Sequence, residues 1–544
     1  MQLLPPGFKG RQLIHPDAGL IYNSDVPFHL HPSPKFLSRL TRIIQGVLLV
    51  FLCFMLYASL HTGLANNGDF ERVMTWFTSA PANMPKNWPA VDTPEYHDRF
   101  FNYFIPDWKL DFPLKGMFSS VELLWLPGVL LNWLFISKTV LSMTMVGLVP
   151  RLLSLVILWL AFRWINHNYP FGEGGSWRAL VLTLTLGIPL TLVLGSGATL
   201  VYFNSFYQET GSFIFLFLFI AGLIYTGRVD HVHPRAIQKE GRSFTNTETM
   251  ATKEPLRPYL WPRYFALAAL FGLLTAKASN IYWIVPGVLL LVPWRKALAR
   301  PRAFIPLYIG IAATLALAVV LVPSRPDQRQ PEVFQSLFNG ALTFSKEPAQ
   351  RLDELGLKGA KKCIYQSAFK PSAYECILLF SDKITFLSTA QVILHEPIIL
   401  FRTARYAAQN MQGLTPQLGK YAKGAAYLPR TQTILLGAWS SFKGRFFPRG
   451  LGLLATLVFF TGFLGLSLKR SRGMRRDLAV LGLLATLACF VDLTIQVLGD
   501  GRADIIKHLF LANVLFDLAA MAALNVGVIT SMDWVQNRKG EHGL

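Results

Sequence analysis

Four short stretches of this chain gather residue types that could do chemistry. The first is Asn66-Asn67-Gly68-Asp69-Phe70-Glu71-Arg72, where Asn, Gly and Asp favour a tight turn. A carboxylate held there, at Asp69, could take a proton from an attacking hydroxyl. It could equally cap a helix that starts at Phe70. The second stretch, Tyr202-Phe203-Asn204-Ser205-Phe206-Tyr207-Gln208-Glu209, is rich in aromatics and amides and ends in an acid. Sugar rings stack on aromatic faces and amides bind their hydroxyls, so Tyr202, Asn204, Tyr207 and Glu209 are candidate substrate contacts. Aromatics are also ordinary at a membrane interface. The third holds Lys277, Ser279 and Asn280, with Lys277 either binding a phosphate or snorkelling to headgroups. The fourth, Gly499 to Asp504, leads through Arg502 into Lys507 and His508, donors suited to an anionic group.

The elements that must position these stretches are membrane helices. The chain is 52% hydrophobic and 15% charged, with a mean hydropathy of +0.37. Soluble domains carry about 25% charged residues, so this balance points to lipid. The net charge of +21 does not point to nucleic acid, because the basic residues sit in short runs beside apolar segments. Apolar runs predict ten spans at 43–62, 146–165, 178–195, 212–227, 262–278, 281–294, 304–322, 450–468, 478–498 and 508–530. The first follows Lys35, Arg39 and Arg42 and reads as an uncleaved signal anchor. With residues 1–42 inside, the basic clusters Arg295, Lys296, Arg300 and Arg302, and then Lys469, Arg470, Arg472, Arg475 and Arg476, fall on the cytoplasmic side, as does the tail 531–544.

Residues 118–136 are apolar enough to span, but counting them would turn both basic clusters outward. They are therefore expected as an interfacial helix on the outer surface, with Trp125 and Trp133 at headgroup level. The outer segments are then 63–145 and 323–449, and the apolar stretch 384–401 reads as a re-entrant or surface segment. Residues 43–322 form one transmembrane module and 450–530 the C-terminal helices. Asp492 and Asp517 fall within spans, where a carboxylate needs a partner or a polar cavity; Arg151 is a possible partner of Asp492. Cys363 and Cys376 are the cysteines placed outside, where a disulfide can form. No HExxH, P-loop or GxSxG motif occurs, so zinc hydrolysis, nucleotide-driven pumping and a serine nucleophile have no support.

NNGDFERV at 66–73, YFNSFYQE at 202–209, FNGAL at 338–342 with LDELGL at 352–357, and GDGRADIIKHLFLANVLFD at 499–517 resemble the GT-C class of membrane glycosyltransferases. The nearer resemblance is to bacterial hexosyltransferases of surface-glycan biosynthesis (WsfD-like). The resemblance implies an all-α polytopic fold with an essential acid in the first outer loop, matched by Asp69. It also implies a polyprenyl-phosphate sugar as donor. Asn67, Glu71, Arg72, Tyr202, Asn204, Tyr207, Glu209, Lys277, Asn280, Arg502, Lys507 and His508 are the expected substrate contacts. No DxD pair lies near Asp69, so no metal or other cofactor is expected, although a divalent ion is not excluded. The expected partners are membrane lipids, the lipid-linked donor and a glycan or lipid-linked acceptor, at the outer face of a bacterial cytoplasmic membrane. A lipid-linked polysaccharide polymerase or ligase, and a transporter using Asp492 and Asp517, are the alternatives.

Overall fold

The computed structural model describes residues 33–83, 93–172, 175–239, 257–292, 301–321, 326–368, 370–411, 417–431 and 433–541. The basic residues Arg295, Lys296 and Arg300, and most of the expected N-terminal segment, lie outside the described residues. The first helix, α1 (Pro34–Ala58), starts where Ser33 accepts the Phe36 N–H at 3.2 Å and Pro34 occupies the first helical position. Leu52, Met55 and Leu56 face the core, while Val47, Val50, Phe54 and Tyr57 are exposed. That apolar, exposed face is the one a lipid-facing helix presents.

Along the chain follow α2 (Val121–Phe135), α3 (Met143–Asn168), α4 (Ser176–Leu194), α5 (Glu209–Thr226), α6 (Arg257–Ala276), α7 (Ala278–Leu291) and α8 (Ile305–Leu321). After them come α9 (Ile398–Asn410), α10 (Ile434–Phe446), α11 (Leu451–Lys469), α12 (Gly473–Asp500) and α13 (Phe510–Arg538). Seven of these, α1, α3, α4, α5, α11, α12 and α13, are long and apolar enough to cross a membrane. The chain is thus an all-α polytopic membrane protein. The count of ten is not reached by length and composition: the other three expected spans fall on α6, α7 and α8, and the last two are shorter than 18 residues. Residues 374–395 form two short helices, Tyr374–Lys383 and Phe386–His395, bent by 83° at their junction. At 15 residues, α2 is about 22 Å long, less than the roughly 30 Å hydrocarbon core, which suits a helix that does not cross.

Close helix approach rests on small residues, as is usual where no water drives association. A side chain at Gly222 of α5 would fall 2.7 Å from Ala266 Cβ on α6, and one at Gly272 would strike the Phe215 ring. Between α1 and α3, three strands form an antiparallel sheet, β1 (Thr78–Pro81), β2 (Asp107–Leu110) and β3 (Val140–Ser142). It draws the loop after α1 back to the start of α3. A second core, built on Phe334, Phe338, Leu352, Leu357 and Phe380, lies in residues 333–399. There Cys363 and Cys376 are joined, with Cα atoms 5.8 Å apart, while Cys53 and Cys489 are unpaired.

The two acids expected inside spans have different surroundings, and neither pairs with Arg151. Arg151 instead bonds Asn204 Oδ1 at 2.8 Å and the Thr144 carbonyl at 3.3 Å. Asp492 accepts from Gln496 at 2.8 Å and from the Tyr282 hydroxyl at 3.3 Å. Asp517 is paired with Lys443 of α10 at 2.6 Å, and it also accepts Trp439 Nε1 at 3.1 Å. The Lys443 and Asp517 side chains are 1% and 5% exposed, so this pair fastens α10 to α13. A buried charge left alone costs about 3–5 kcal/mol, more than the pair itself contributes. Lys443→Met should therefore lower the detergent-solubilised unfolding midpoint sharply. Lys443→Met with Asp517→Leu should recover much of the loss; a double variant as unstable as the single one would show that the pair is not the fastening.

Candidate active site

The site is built from the end of α1. The carbonyls of Ser59, Leu60 and Thr62 end the helix, and the two hydrogens of Asn204 Nδ2 are shared among all three at 3.1, 2.9 and 2.7 Å; the Ser59 carbonyl also accepts the Thr62 N–H at 3.1 Å. Gly63 passes so near that a Cβ there would lie 2.5 Å from the Asn204 carbonyl. The chain then enters the Asn66–Arg72 turn. Asn66 Oδ1 accepts the Gly68 N–H at 2.7 Å and the Phe70 N–H at 3.3 Å, and Gly68 has a positive φ of 99°. Asn66 therefore does the work that helix capping would ask of Asp69. The Asp69 side chain accepts no backbone N–H of the helix Phe70–Val73, so the capping alternative does not hold.

Below the turn, aromatic rings set its height. Phe70 meets Tyr207 edge-on at 4.7 Å and Phe206 at 5.6 Å, and Phe206 packs on Trp108 and Trp125. The Tyr207 hydroxyl lies 2.8 Å from the Ala65 carbonyl and accepts the Asn67 N–H at 3.2 Å. Asn67 in turn donates to Asp504 Oδ2 at 2.7 Å. The first and second stretches are thereby locked together, and the fourth is tied to both.

The loop between α12 and α13 brings the fourth stretch to the same place. Gly501 has φ +63°, and a Cβ there would lie 2.8 Å from the Asn339 carbonyl. Gly340 approaches the Leu498 carbonyl equally closely, and Gln335 Nε2 donates to the Asp500 carbonyl at 2.7 Å. Asp504 takes a left-handed conformation and starts the short helix Ile505–His508, which aims Lys507 at Asp69. Lys507 Nζ contacts the Asp69 carboxylate and stands over the Tyr207 ring, 5.2 Å from its centre. Arg72 Nε is 3.6 Å from the other Asp69 oxygen.

A second set lies beside the first. Lys277 Nζ is 3.1 Å from Glu209 Oε1 and 3.1 Å from His508 Nδ1, and that nitrogen is 3.0 Å from Asp500 Oδ2. Asp69, Arg72, Tyr207, Glu209, Lys277, Lys507 and His508 thus form one charged cluster at the common end of α1, α3, α5, α12 and α13. Arg502 is at its edge, exposed and stacked on Tyr406 at 5.0 Å. Four expected contacts lie elsewhere. Asn204 is committed to the end of α1, Asn280 bonds Ser212 and the Leu273 carbonyl, and Glu71 faces Arg99 at 3.6 Å. Tyr202 is fully buried against Phe510. Asp500 and Asp504 were not singled out from the sequence; their place inside a Gly-rich cationic turn was the available signal. LDELGL belongs to the second core rather than to the cluster. Among the described residues no three His, Cys, Asp or Glu side chains gather as a metal-binding set. An apolar cavity of about 100 Å³, lined by residues such as Trp164, Leu190, Phe217, Tyr225 and Met521, lies toward the opposite ends of the helices and carries no charge.

Charge and burial determine the protonation states. Burial alone would raise the Asp69 pKa, but Lys507 and Arg72 outweigh it and hold the carboxyl well below the usual carboxylate range. Burial also opposes the charge on Lys277, and Glu209 with Asp500 more than restores it. For His508, burial and then the charges of Lys277 and Lys507 push the pKa well below the ordinary histidine value, so the imidazole is neutral. The unfolded chain takes that proton first, near pH 6.5, so stability is kept above this pH and lost as pH falls below it. The unfolding midpoint should drop between pH 7 and pH 5, and His508→Gln should flatten part of that drop. An unchanged slope in the variant would mean that His508 titrates normally.

No curated protein and no solved structure matches the chain. A family model described as the YfdI N-terminal transmembrane domain matches residues 34–543, a range that contains every side chain of the cluster. This chain is a membrane protein of the YfdI family.

Proposed function

We propose that the protein is a GT-C-type glycosyltransferase that moves a sugar, a hexose, from a polyprenyl-phosphate donor to a hydroxyl of a surface-glycan or lipid-linked acceptor. The observation that carries this reading is Asp69: a carboxylate with no capping duty, at the end of several apolar helices, beside buried and partly buried cations. In the reaction Asp69 takes the acceptor proton as the hydroxyl oxygen bonds to the anomeric carbon. The bond from that carbon to the phosphate oxygen breaks, and the phosphate leaves with the electron pair. Lys507 and Arg72 stabilise the departing charge, with Lys277 and Arg502 nearby. The resemblance of the 66–73, 202–209 and 499–517 stretches to GT-C enzymes supports the same assignment. The transporter alternative needs Asp492 and Asp517 as a relay, and the Lys443 pair leaves Asp517 without that freedom.

The charged cluster belongs, in this reading, on the extracytoplasmic face of the bacterial cytoplasmic membrane, where lipid-linked sugars meet their acceptors. Reporter fusions after Arg476 should then register as cytoplasmic and fusions near Lys420 as external. Both reporting one side would reject this orientation. For the chemistry, Asp69→Asn in purified protein should cut transfer from a polyprenyl-phosphate hexose by about 100- to 10,000-fold. Glu71→Gln should be much milder, because Glu71 faces Arg99. Wild-type turnover in a well-folded Asp69→Asn variant would end the proposal.

A further inference from the structure

The cations that should receive the donor phosphate are already occupied. Lys507 is 3% exposed, and the groups against its ammonium are the Asp69 carboxylate and the face of Tyr207. Arg72 is ion-paired with the same carboxylate at 3.6 Å. Asp69 itself is 28% exposed and Arg72 30%, so an anion arriving from solvent meets these two before it reaches Lys507. Lys277 repeats the pattern beside them, held by Glu209. A phosphate oxygen and the Asp69 carboxylate have the same charge sign and seek the same donors. They cannot share them without two anions lying side by side in a poorly solvated place.

We propose that Lys507 and Arg72 form a phosphate-binding site for which Asp69 is the built-in competitor, so that binding of the donor phosphate is the event that frees Asp69 to act as a base. This rests on the transfer reaction proposed above and adds an order to it. While paired with two cations, Asp69 is ionised but a poor proton acceptor. Once the phosphate has taken the cations, the carboxylate loses the charges that hold its affinity for protons down, and its basicity rises toward that of an ordinary acid. The donor must therefore bind before the acceptor can be deprotonated. A water or acceptor that enters the empty site meets no competent base. The geometry gives the exchange little to overcome elsewhere: Arg72, the one turn residue paired with the Asp69 carboxylate, is itself a party to the exchange, and Asn66, not the Asp69 side chain, accepts the backbone N–H groups that keep the turn in shape.

The test is affinity, and the sign of the expected change is opposite to that of a simple contact. Binding of a short polyprenyl monophosphate and of inorganic phosphate is measured by calorimetry on the full chain in detergent. Wild type, Asp69→Asn and Asp69→Asn with Lys507→Ala are compared. Removing the competing charge should tighten binding of the lipid probe about tenfold, the scale of one charge-assisted contact no longer contested. The added Lys507→Ala should abolish the gain. Tightening of the lipid probe alone assigns the site to a lipid-linked headgroup, and tightening of both probes assigns it to phosphate from either source; each supports the exchange. Equal or weaker binding in Asp69→Asn overturns it. If Asp69→Asn is not monodisperse, Asp69→Ala is scored by the same signs. The two proposals separate cleanly. An Asp69→Asn variant that loses transfer with unchanged phosphate affinity keeps the glycosyltransferase and removes the competition. One that gains affinity but keeps full transfer retains the phosphate site and removes the base.

Discussion

Three carbonyl groups at the end of α1 set the position of everything that follows. A helix end inside a membrane protein leaves backbone acceptors that lipid cannot satisfy, and each costs free energy until something donates to it. Here the two hydrogens of one side-chain amide, Asn204, are shared among Ser59, Leu60 and Thr62, with the Thr62 N–H on Ser59 and the Thr144 hydroxyl on Leu60 as further donors, and Arg151 holds the other end of that amide. The first loop is thereby fixed to the fourth apolar helix region within a few residues of Asp69. The aromatic packing of Phe70, Phe206 and Tyr207 then has a defined surface to rest on. Asn204 was expected among the substrate contacts. Its role is earlier in the chain of cause: it decides where the site is.

The charged cluster shows how a low-dielectric region can hold several cations at once. Lys507 and Lys277 are mostly buried, yet each meets a carboxylate directly, and His508 stays neutral between them. Removing charges from water is expensive, and mutual pairing is what makes the arrangement tolerable. The same arithmetic keeps the cluster near electrical balance, so its response to an added anion is exchange rather than simple attraction.

Much of this was legible in the sequence, and the limits have physical causes. Apolar runs gave the seven long spans because length and hydropathy are local properties. They gave less reliable guidance at α6, α7 and α8, where glycine, proline and charged residues shorten or dilute the apolar run. The Asn-Gly-Asp turn was readable from turn chemistry, but which of its members caps the helix was not. Asn66 and Asp69 are both competent cap residues, and the choice depended on the positive φ at Gly68. Pairings were the hardest. Asp517 finds Lys443 and Asp492 finds Tyr282 across long separations in the chain, and a sequence offers no measure of which distant groups share a depth. That 66–73, 202–209 and 499–508 contribute to one site was an expectation from residue types together with the GT-C resemblance; the geometry of Asn67, Tyr207 and Asp504 supplies the joints.

Gly340 and Gly501 each press against the other segment's backbone, one near the Leu498 carbonyl and the other near Asn339. Neither position has room for a Cβ, and Gly501 also needs its left-handed backbone. A side chain at either place would wedge the two segments apart and carry the Asp504–His508 turn with it. The two glycines lie 161 positions apart in a loop and a helix end that could otherwise drift independently. In descendants of this chain they should therefore be inherited as a linked pair, with replacement of one tolerated only where the opposite backbone has been rebuilt to make space.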